Sequence, residues 1–264
     1  LCVSGGGALP RHVDETLLGL GLPLRNGYGL TETSPVASVR LPHQTGPGHI
    51  GPPLPHTRIE ARRADGTTCA PDETGVLWIQ GPQVMRGYYE NARRTAEVLV
   101  DGGWFNSGDL GHVDRRGNVW ITGRAKDTIV LAGGENVEPE PVETVVKTSP
   151  LIDQAVCVGQ DQKGLGALLV PNFEHLEQRV PRTQWDERDG ELHGKPVLAL
   201  LRAELDRLVT RENGCRPCDR ITTFRVLAEA LTPENGLLTQ TMKVRRHVVA
   251  ERHAATLARM FGAD

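Results

Sequence analysis

Two side chains of opposite charge, Asp109 and Arg124, flank a segment whose pattern predicts a β-hairpin. Its turn at 114–117 begins with Asp and ends with Gly, between the β-favouring runs 110–113 and 118–122. Because the outer ends of antiparallel strands are neighbours, we expect the two charged groups to face the same small volume. A carboxylate accepts hydrogen bonds from vicinal hydroxyls and a guanidinium binds phosphate, so the pair could hold a nucleotide. An ordinary ion pair that closes a surface hairpin is the alternative.

The residues after this hairpin predict a junction. Lys126 and Asp127 stand directly before the apolar run 128–131, where new structure begins. The following Gly133-Gly134-Glu-Asn stretch predicts a tight turn, and Pro139 with its neighbouring glutamates predicts the start of a helix. From the residues alone, this is a domain linker followed by a turn and a helix.

Near the start of the chain, the pattern predicts a buried strand at 1–4, a helix at 11–20 and a second strand at 24–28. These elements are typical of an α/β fold, as one end of a doubly wound sheet, in which ligands bind beyond the carboxyl ends of the strands. Glycine-rich motifs at 4–7 and 27–32 lie at such ends, where a missing Cβ lets a base or phosphate approach the backbone. A simple turn is the alternative for Gly-Tyr-Gly.

Between about residues 50 and 123, short strands and turns predict a small β-barrel-like subdomain. We expect strands at 57–61, 75–80 and 119–122, and a helix at 91–100 that ends before Asp101. Three tryptophans are expected in the core of this subdomain rather than in a functional stack, namely Trp78, Trp104 and Trp120.

The last part of the chain predicts a small α+β domain. Strands are expected at 154–158, 167–170 and 221–226, a long helix at 196–211 with a leucine-rich face, and a final helix at 247–261. The polar stretch 172–195 has no clear period, and we interpret it as a solvated excursion with one weak helical turn.

Five motifs in order identify a family resemblance. They are Ser-Gly-Gly-Gly-Ala-Leu-Pro at 4–10, Asn-Gly-Tyr-Gly-Leu-Thr-Glu-Thr at 26–33, Gly-Trp-Phe-Asn-Ser-Gly-Asp at 103–109, Gly-Arg-Ala-Lys-Asp-Thr-Ile-Val-Leu-Ala-Gly-Gly-Glu-Asn-Val-Glu-Pro-Glu-Pro at 123–141 and Leu-Thr-Gln-Thr-Met-Lys-Val-Arg-Arg at 238–246. Together they resemble the adenylate-forming superfamily of AMP-binding enzymes, and are most similar to its long-chain fatty acyl-CoA synthetase branch.

The resemblance implies a domain order and an activity. Residues 1–123 would form the carboxyl-terminal part of the large AMP-binding domain, 124–127 a hinge, and 128–264 a small lid domain. The implied reaction is ATP-dependent activation of a long-chain fatty acid to acyl-AMP, with Mg²⁺, followed by acyl transfer to CoA.

Specific residues take roles from the same resemblance. In the large domain, Gly5 and Gly6 would line the adenine and acyl side of the site, and Tyr28 with Gly29 would contact the base. Thr31 would contact the α-phosphate, Glu32 would bind Mg²⁺, and Asp109 with Arg124 would face the ribose. In the lid domain, Lys243 would be the adenylation lysine, whose ammonium stabilises charge that develops at the α-phosphate. Lys126 would be the pivot of a domain rotation that exchanges Lys243 for the Gly133–Gly134 turn, part of the channel for the CoA thiol.

One expected motif is missing from the 264 residues, namely a Ser/Thr/Gly-rich phosphate loop that ends in Lys-Gly. The nearest candidate, at 190–196, is one residue short of a Walker loop and has Pro where a Ser or Thr should bind magnesium, so we interpret it as a polar surface insertion. Since the chain also starts at Leu1 without Met, we expect it to be cut from a longer enzyme and to be inactive alone. A non-catalytic or truncated adenylate-binding module remains the alternative.

Composition narrows the partners. A net charge of −3 does not suggest nucleic acid, and no apolar run approaches the roughly 20 residues that cross a bilayer, so any membrane contact would be peripheral. Five cysteines without a disulfide framework favour a reducing compartment, and we expect a cytoplasmic protein. The one CxxC pair, Cys215 and Cys218, lacks a second pair, so zinc is not expected.

Overall fold

The computed structural model describes residues 2–7, 9–22, 24–41, 44, 46–100 and 102–262. These residues form two compact units, which divide between Lys126 and Asp127. We call them the first unit and the second unit, and each has its own core.

The first unit begins with a strand, a helix and two more strands: β1 (Cys2–Ser4), α1 (Arg11–Gly19), β2 (Leu24–Tyr28) and β3 (Ser38–Val39). β1 and β2 are parallel, with α1 as their crossover, and β3 is antiparallel to β2. The predicted elements are therefore present, but β1 is not buried, because it forms the edge of this sheet and Val3 is 69% exposed. Leu1 of the predicted strand lies outside the described residues.

A second sheet completes the first unit. It is formed by β4 (Arg58–Arg62), β5 (Gly75–Gln80), β6 (Leu99–Val100), β7 (Trp104–Val113) and β8 (Val119–Arg124), with α2 (Ala92–Val98) between β5 and β6. The long strand β7 pairs with β5 on one side and with β6 and β8 on the other, and all these pairings are antiparallel. The sheet corresponds to the predicted β-rich subdomain. The predicted helix at 91–100 is shorter than expected, because residues 99–100 form β6, and Asp101, which follows them, lies outside the described residues.

The core of this sheet is aliphatic and phenyl, and the prediction of a tryptophan core was wrong. Side chains alternate along β5 and β7, so Leu77, Ile79 and Phe105 are buried together on one face. Trp78 and Trp104 lie on the opposite, half-buried face, and the Arg62 guanidinium lies 4.9 and 4.4 Å from their ring centroids. Because neighbouring side chains on a strand point to opposite faces, a tryptophan next to a buried apolar position lies on the outer face. Trp120 is also half-buried, and its ring stacks on that of His112.

The second unit is built on a three-stranded sheet in the order β11 (Ile152–Val158), β12 (Leu165–Pro171) and β15 (Ile221–Val226). Before it come β9 (Ile129–Val130), β10 (Asn136–Val137) and α3 (Pro139–Val146), and between β12 and β15 come α4 (Phe173–Arg179), β13 (Glu187–Arg188), β14 (Glu191–Leu192) and α5 (Lys195–Leu208). Every residue of β12 is buried, because helices α3 and α5 cover one face of the sheet and the segment around 227–249 covers the other. A central strand covered on both faces is expected to be continuously apolar.

Residues 172–195 do not form a solvated excursion, so that prediction was wrong. This stretch contains α4, a short 3₁₀ helix at Arg182–Gln184 and the β13–β14 hairpin. Leu176, Trp185 and Leu192 are all buried in the core of the second unit. Most of the polar residues between these buried positions are exposed, and they obscure the apolar period in the sequence. The expected polar surface insertion at 190–196 is likewise partly interior, since Glu191 is 1% exposed.

The predicted final helix is two helices, α6 (Arg246–Arg252) and α7 (Ala254–Phe261), which meet at His253. Among the described residues, no helix is long and apolar enough to cross a membrane.

Candidate functional site

Asp109 and Arg124 are neighbours in the β7–β8 hairpin, as expected, although both lie within the strands rather than just outside them. A one-residue register shift between Leu110 and Gly111 makes them direct partners. Arg124 Nε lies 3.0 Å from Asp109 Oδ1. The other carboxylate oxygen, Oδ2, accepts a 2.6 Å hydrogen bond from the hydroxyl of Tyr28, the last residue of β2. The hairpin is thereby joined to the carboxyl end of a strand in the other sheet of the first unit.

Local contacts fix Asp109 in this position. Ser107 Oγ donates to the Leu77 carbonyl at 2.6 Å and accepts from the Asp109 amide at 3.1 Å. Asp109 is 3% exposed, whereas the Arg124 side chain is 36% exposed. Burial, followed by the adjacent Asp109 carboxylate, raises the pKa of Tyr28 far above its ordinary value, so this hydroxyl remains a donor. The cluster therefore presents a fixed, buried carboxylate beside a partly exposed guanidinium.

Tyr28 itself is 8% exposed and packs with Ala37, Leu77 and Phe105. Most of its ring is therefore covered by the core of the first unit. The predicted contact with a base can involve only the remaining exposed part of the ring.

The two glycine motifs lie side by side at the carboxyl ends of β1 and β2. Ser4 is in register with Asn26, so Gly5 and Gly6 leave the sheet next to the segment that continues into Gly29. Gly5 and Gly6 are exposed, and Gly6 has φ +83°, a conformation that favours glycine. At Gly29 a Cβ would collide with the backbone of Pro35, so this position requires glycine for packing.

Thr31 and Glu32 lie in a short 3₁₀ helix, Thr31–Thr33, directly after these glycines. The Glu32 Oε1 atom accepts a 2.7 Å hydrogen bond from the hydroxyl of Tyr88, and the Glu32 carbonyl accepts one from the Met85 amide at 2.8 Å. Burial, with the nearby Glu32 carboxylate, raises the pKa of the Tyr88 hydroxyl. Tyr88 was missed from the sequence, because 56 residues separate it from Glu32 and no spacing pattern connects them.

The donor set around Glu32 fits a magnesium ion that is shared with a nucleotide. Glu32 is half-buried, and its carboxylate is a hard oxygen ligand. The described residues contain no cluster of three or more His, Cys, Asp or Glu side chains that could hold a metal ion. Mg²⁺ is commonly bound by one or two carboxylates together with substrate phosphates and water, and a single carboxylate suits that mode.

In the second unit, Gly133 and Gly134 form the turn of the β9–β10 hairpin. The turn is closed by hydrogen bonds from the Leu131 amide to the Glu135 carbonyl and from the Gly134 amide to the Leu131 carbonyl. Gly134 has φ +86°, and both glycines are exposed. Arg216 donates to the Asn136 carbonyl at 2.9 Å and lies 3.0 Å from the Glu138 carboxylate, so it holds the base of this hairpin. The sequence did not single out Arg216, which lies inside the Cys-Arg-Pro-Cys segment.

Lys243 lies at an exposed turn of the second unit, closed by a bridge between Leu238 and Val244. The Thr239 amide donates to the Lys243 carbonyl at 2.8 Å, and the Lys243 amide donates to Thr239 Oγ1 at 3.1 Å. Met242, which precedes the lysine, has φ +62°. Lys126, the predicted pivot, is exposed in a 3₁₀ helix, Ala125–Asp127, at the division between the units.

Comparison with known proteins gives the family. Residues 1–89 match the model of the AMP-binding enzyme family, and residues 126–186 match that of the AMP-binding enzyme C-terminal domain. A solved structure of o-succinylbenzoate-CoA synthetase from Bacillus subtilis, in complex with the acyl-adenylate intermediate, is 25% identical and superimposes with a TM-score of 0.71 over 94% of this chain and 45% of that one.

Three curated relatives are each 37% identical to this chain. Two are from Arabidopsis thaliana. The probable acyl-activating enzyme 16, chloroplastic, matches over 98% of this chain and 37% of the relative. The long-chain-fatty-acid–[acyl-carrier-protein] ligase AEE15, chloroplastic, matches over 98% of this chain and 35% of the relative. The third is the long-chain-fatty-acid–CoA ligase FadD15 of Mycobacterium bovis, over 99% and 42%. The chain thus spans well under half the length of these relatives. It belongs to the adenylate-forming superfamily of AMP-binding enzymes.

Proposed function

We propose that the protein containing this chain uses ATP to activate a long-chain fatty acid to acyl-AMP and then transfers the acyl group to the thiol of CoA. The observation that carries the proposal is the Tyr28–Asp109–Arg124 cluster. It holds the buried Asp109 carboxylate beside the end of β2, the strand that is followed along the chain by Thr31 and Glu32. Fatty acid as the substrate is supported by the names of the relatives.

In the first half-reaction, a fatty acid carboxylate oxygen attacks the α-phosphorus of ATP, and the bond from that phosphorus to pyrophosphate breaks. Asp109 would accept hydrogen bonds from the ribose hydroxyls, with Arg124 beside it. Gly5, Gly6, Tyr28 and Gly29 would shape the space for adenine and the acyl carboxylate, and Thr31 would hydrogen-bond the α-phosphate.

Mg²⁺, bound by Glu32, would neutralise phosphate charge during this step. Tyr88 would keep one oxygen of Glu32 engaged and so fix the direction of the carboxylate. Lys243 would place its ammonium against the charge that develops at the α-phosphate.

In the second half-reaction, the CoA thiol releases its proton to water, its sulfur attacks the acyl carbonyl, and the bond to AMP breaks so that AMP leaves. The domain assignment of 1–123, a hinge at 124–127 and 128–264 belongs to the same proposal. A change in backbone angles at Lys126 would replace Lys243 with the Gly133–Gly134 turn, whose exposed backbone suits a pantetheine arm. Cytoplasmic location with at most peripheral membrane contact completes the proposal, supported by five free cysteines.

The acceptor thiol is the part of this proposal that most needs a direct test. AEE15, whose name gives an acyl carrier protein as acceptor, is as similar to this chain as the CoA ligase FadD15. An acyl carrier protein is therefore the second candidate acceptor. Palmitoyl-AMP supplied to the full-length gene product, with CoA or with phosphopantetheinylated carrier protein, distinguishes the two, and faster thioester formation with the carrier protein would overturn the CoA assignment.

The adenylation step is tested by ATP–pyrophosphate exchange. We expect the full-length gene product to show exchange that depends on palmitate and Mg²⁺. The 264-residue chain alone should show none, because its sequence has no phosphate loop to hold the magnesium pyrophosphate. Palmitate-dependent exchange by the isolated chain would refute the role given to that loop, and no exchange by the full-length product would favour a non-catalytic adenylate-binding module.

A further inference from the structure

A buried ion pair in the second unit joins two residues that have no role in the proposed function. Glu143 of α3 is 4% exposed, and Arg246, at the start of α6, binds it through two parallel hydrogen bonds. Nη1 donates to Oε1 and Nη2 to Oε2, each at 2.7 Å. The Cys157 amide also donates to Oε1, at 2.7 Å. Such a bidentate guanidinium–carboxylate pair is geometrically specific, because the fork of donors allows few relative orientations.

The position of this pair in the fold connects separate layers. Cys157 belongs to β11, an edge strand, so Glu143 satisfies a backbone amide that has no neighbouring strand. Helix α3 covers one face of the sheet, whereas Val249 of α6 packs into the cluster on the opposite face. The Arg246 guanidinium therefore reaches around the sheet edge. It also lies 4.0 Å from the carboxylate of Asp127, the first residue of the second unit.

Arg246 is three residues beyond Lys243, and the two residues between them, Val244 and Arg245, make contacts of their own. Val244 forms the bridge to Leu238, and the Arg245 amide donates to the Leu237 carbonyl at 2.9 Å. Leu237 and Leu238 are buried, so one arm of the lysine turn is anchored in the core. On the other arm, the Val244 side chain packs against the same core, and Arg245 Nη1 donates to the Gly236 carbonyl at 3.2 Å. The bidentate contact of Arg246 adds a carboxylate anchor at the point where this arm enters α6.

We propose that Arg246, held by Glu143, is a positioning residue for Lys243. The pair fixes the arm of the turn that leads into α6, and so fixes the place from which the lysine ammonium projects. Its proximity to Asp127 ties the same arm to the first residue after the pivot, so Lys243 follows any rotation of the second unit as a rigid attachment. This inference rests on the role of Lys243 under the proposed function. It assigns to Glu143 and Arg246 no contact with substrate.

The test measures both half-reactions in the full-length gene product carrying Arg246→Ala, Arg246→Lys or Glu143→Gln. For Arg246→Ala we expect the kcat of acyl-adenylate formation to fall about 10- to 100-fold, because a displacement of about 1 Å has effects of that order. The KM for ATP and the rate of thioester formation from supplied palmitoyl-AMP should change less than about threefold. Arg246→Lys should recover part of the adenylation rate, since an ammonium keeps the charge but loses the fork.

Glu191→Gln is the matched control. Glu191 is also a buried carboxylate of the second unit, 1% exposed, and it is held by Arg259 at 2.6 Å and Thr256 at 2.7 Å. These partners lie in α7, away from the lysine turn in the chain. The variant should lower the thermal midpoint much as Glu143→Gln does, and should leave the ratio of the two half-reactions unchanged.

Equal losses in both half-reactions for the Arg246 and Glu143 variants, or the same imbalance in Glu191→Gln, would show a purely structural pair and overturn the inference. If Arg246→Ala does not fold, as judged by circular dichroism, Arg246→Lys and Glu143→Gln decide by the same ratio. Lys243→Ala, measured in parallel, separates the two levels of argument. If it loses adenylation while the pair variants do not, the positioning role alone fails; if it keeps adenylation, the proposed role of Lys243 fails and the inference with it.

Discussion

Asp109→Asn separates a nucleotide contact from a surface ion pair. The substitution keeps the shape of the side chain and one carbonyl oxygen, which can still accept the 2.6 Å hydrogen bond from Tyr28. It removes the charge that faces Arg124 and, under the proposed function, the charge that faces the ribose. We therefore expect a small effect on stability and a large one on nucleotide affinity.

The magnitudes follow from burial and charge. The Arg124 side chain is 36% exposed, so solvent screens its pairing with Asp109, and loss of that pairing should lower the free energy of unfolding by less than about 1 kcal/mol. Hydrogen bonds to a charged acceptor contribute about 1.5–3 kcal/mol, against about 0.5–1.5 kcal/mol for neutral ones. Two ribose hydrogen bonds would thus weaken by about 2–3 kcal/mol in total, or roughly 30- to 150-fold in Kd. Asp109→Ala should also destabilise the fold by about 1–3 kcal/mol, because the buried Tyr28 hydroxyl loses its acceptor.

The assay is calorimetric titration of the full-length gene product with ATP and with 2′,3′-dideoxy-ATP, alongside urea unfolding. The wild-type protein should prefer ATP, and Asp109→Asn should reduce that preference at least about tenfold, on the same hydrogen-bond estimate. Tyr28→Phe is the control, since it removes the hydroxyl that orients Asp109 and leaves the carboxylate. If Asp109→Asn lowers stability by several kcal/mol and leaves the preference for ATP unchanged, the pair is structural and our reasoning about the ribose is refuted.

Three further predictions concern other parts of the chain. Lys243→Ala in the full-length gene product should suppress acyl-adenylate formation far more than thioester formation from supplied acyl-adenylate, and equal loss in both assays would remove its proposed role. Arg40→Met should lower the free energy of unfolding in urea titrations by about 3–5 kcal/mol, because it leaves the buried Asp14 carboxylate without its ion-pair partner. Arg11→Met, which breaks an exposed pair, should change the same free energy by less than about 1 kcal/mol. Burial, with the nearby Arg40 charge, lowers the pKa of His49. The unfolded chain therefore takes up a proton first as the pH falls through about 6.5, and the contribution of His49 to the free energy of unfolding is present above that pH. His49→Gln should weaken the loss of stability between about pH 7.5 and 5.5.

Much of the local structure could be predicted because short-range patterns determine it. The Asp-Arg-Arg-Gly turn predicted the β7–β8 hairpin, and the glycines after β1 and β2 mark the carboxyl ends of two parallel strands. The register next to the turn shifts by one residue between Leu110 and Gly111, and this shift, which the turn does not predict, places Arg124 opposite Asp109. In α5, the leucine period predicted a buried face, and Leu201, Leu205 and Leu208 are buried there, although Leu198 is only half-buried. In each case, the turn or the period is complete within a few residues.

Predictions that needed knowledge of what covers a surface were less successful. The outer position of Trp78 and Trp104 depends on which face of the sheet packs inward, and alternation alone does not say which. Residues 172–195 contain four buried apolar residues spaced among polar ones, namely Leu176, Val180, Trp185 and Leu192, and their burial depends on the helices and strands of the second unit that pack against them. The break of the last helix at His253 is likewise absent from the apolar period.

The sequence by itself determined the family, through five ordered motifs, and the hairpin that carries Asp109 and Arg124. Only the tertiary structure joined Tyr28 to Asp109, Glu32 to Tyr88 and Glu143 to Arg246, which are separated by 81, 56 and 103 residues. A hydrogen bond between distant segments leaves no periodic signal, because its geometry is set by how whole strands and helices pack. The same packing buries and orients the carboxylate of Asp109, the candidate ribose-binding group.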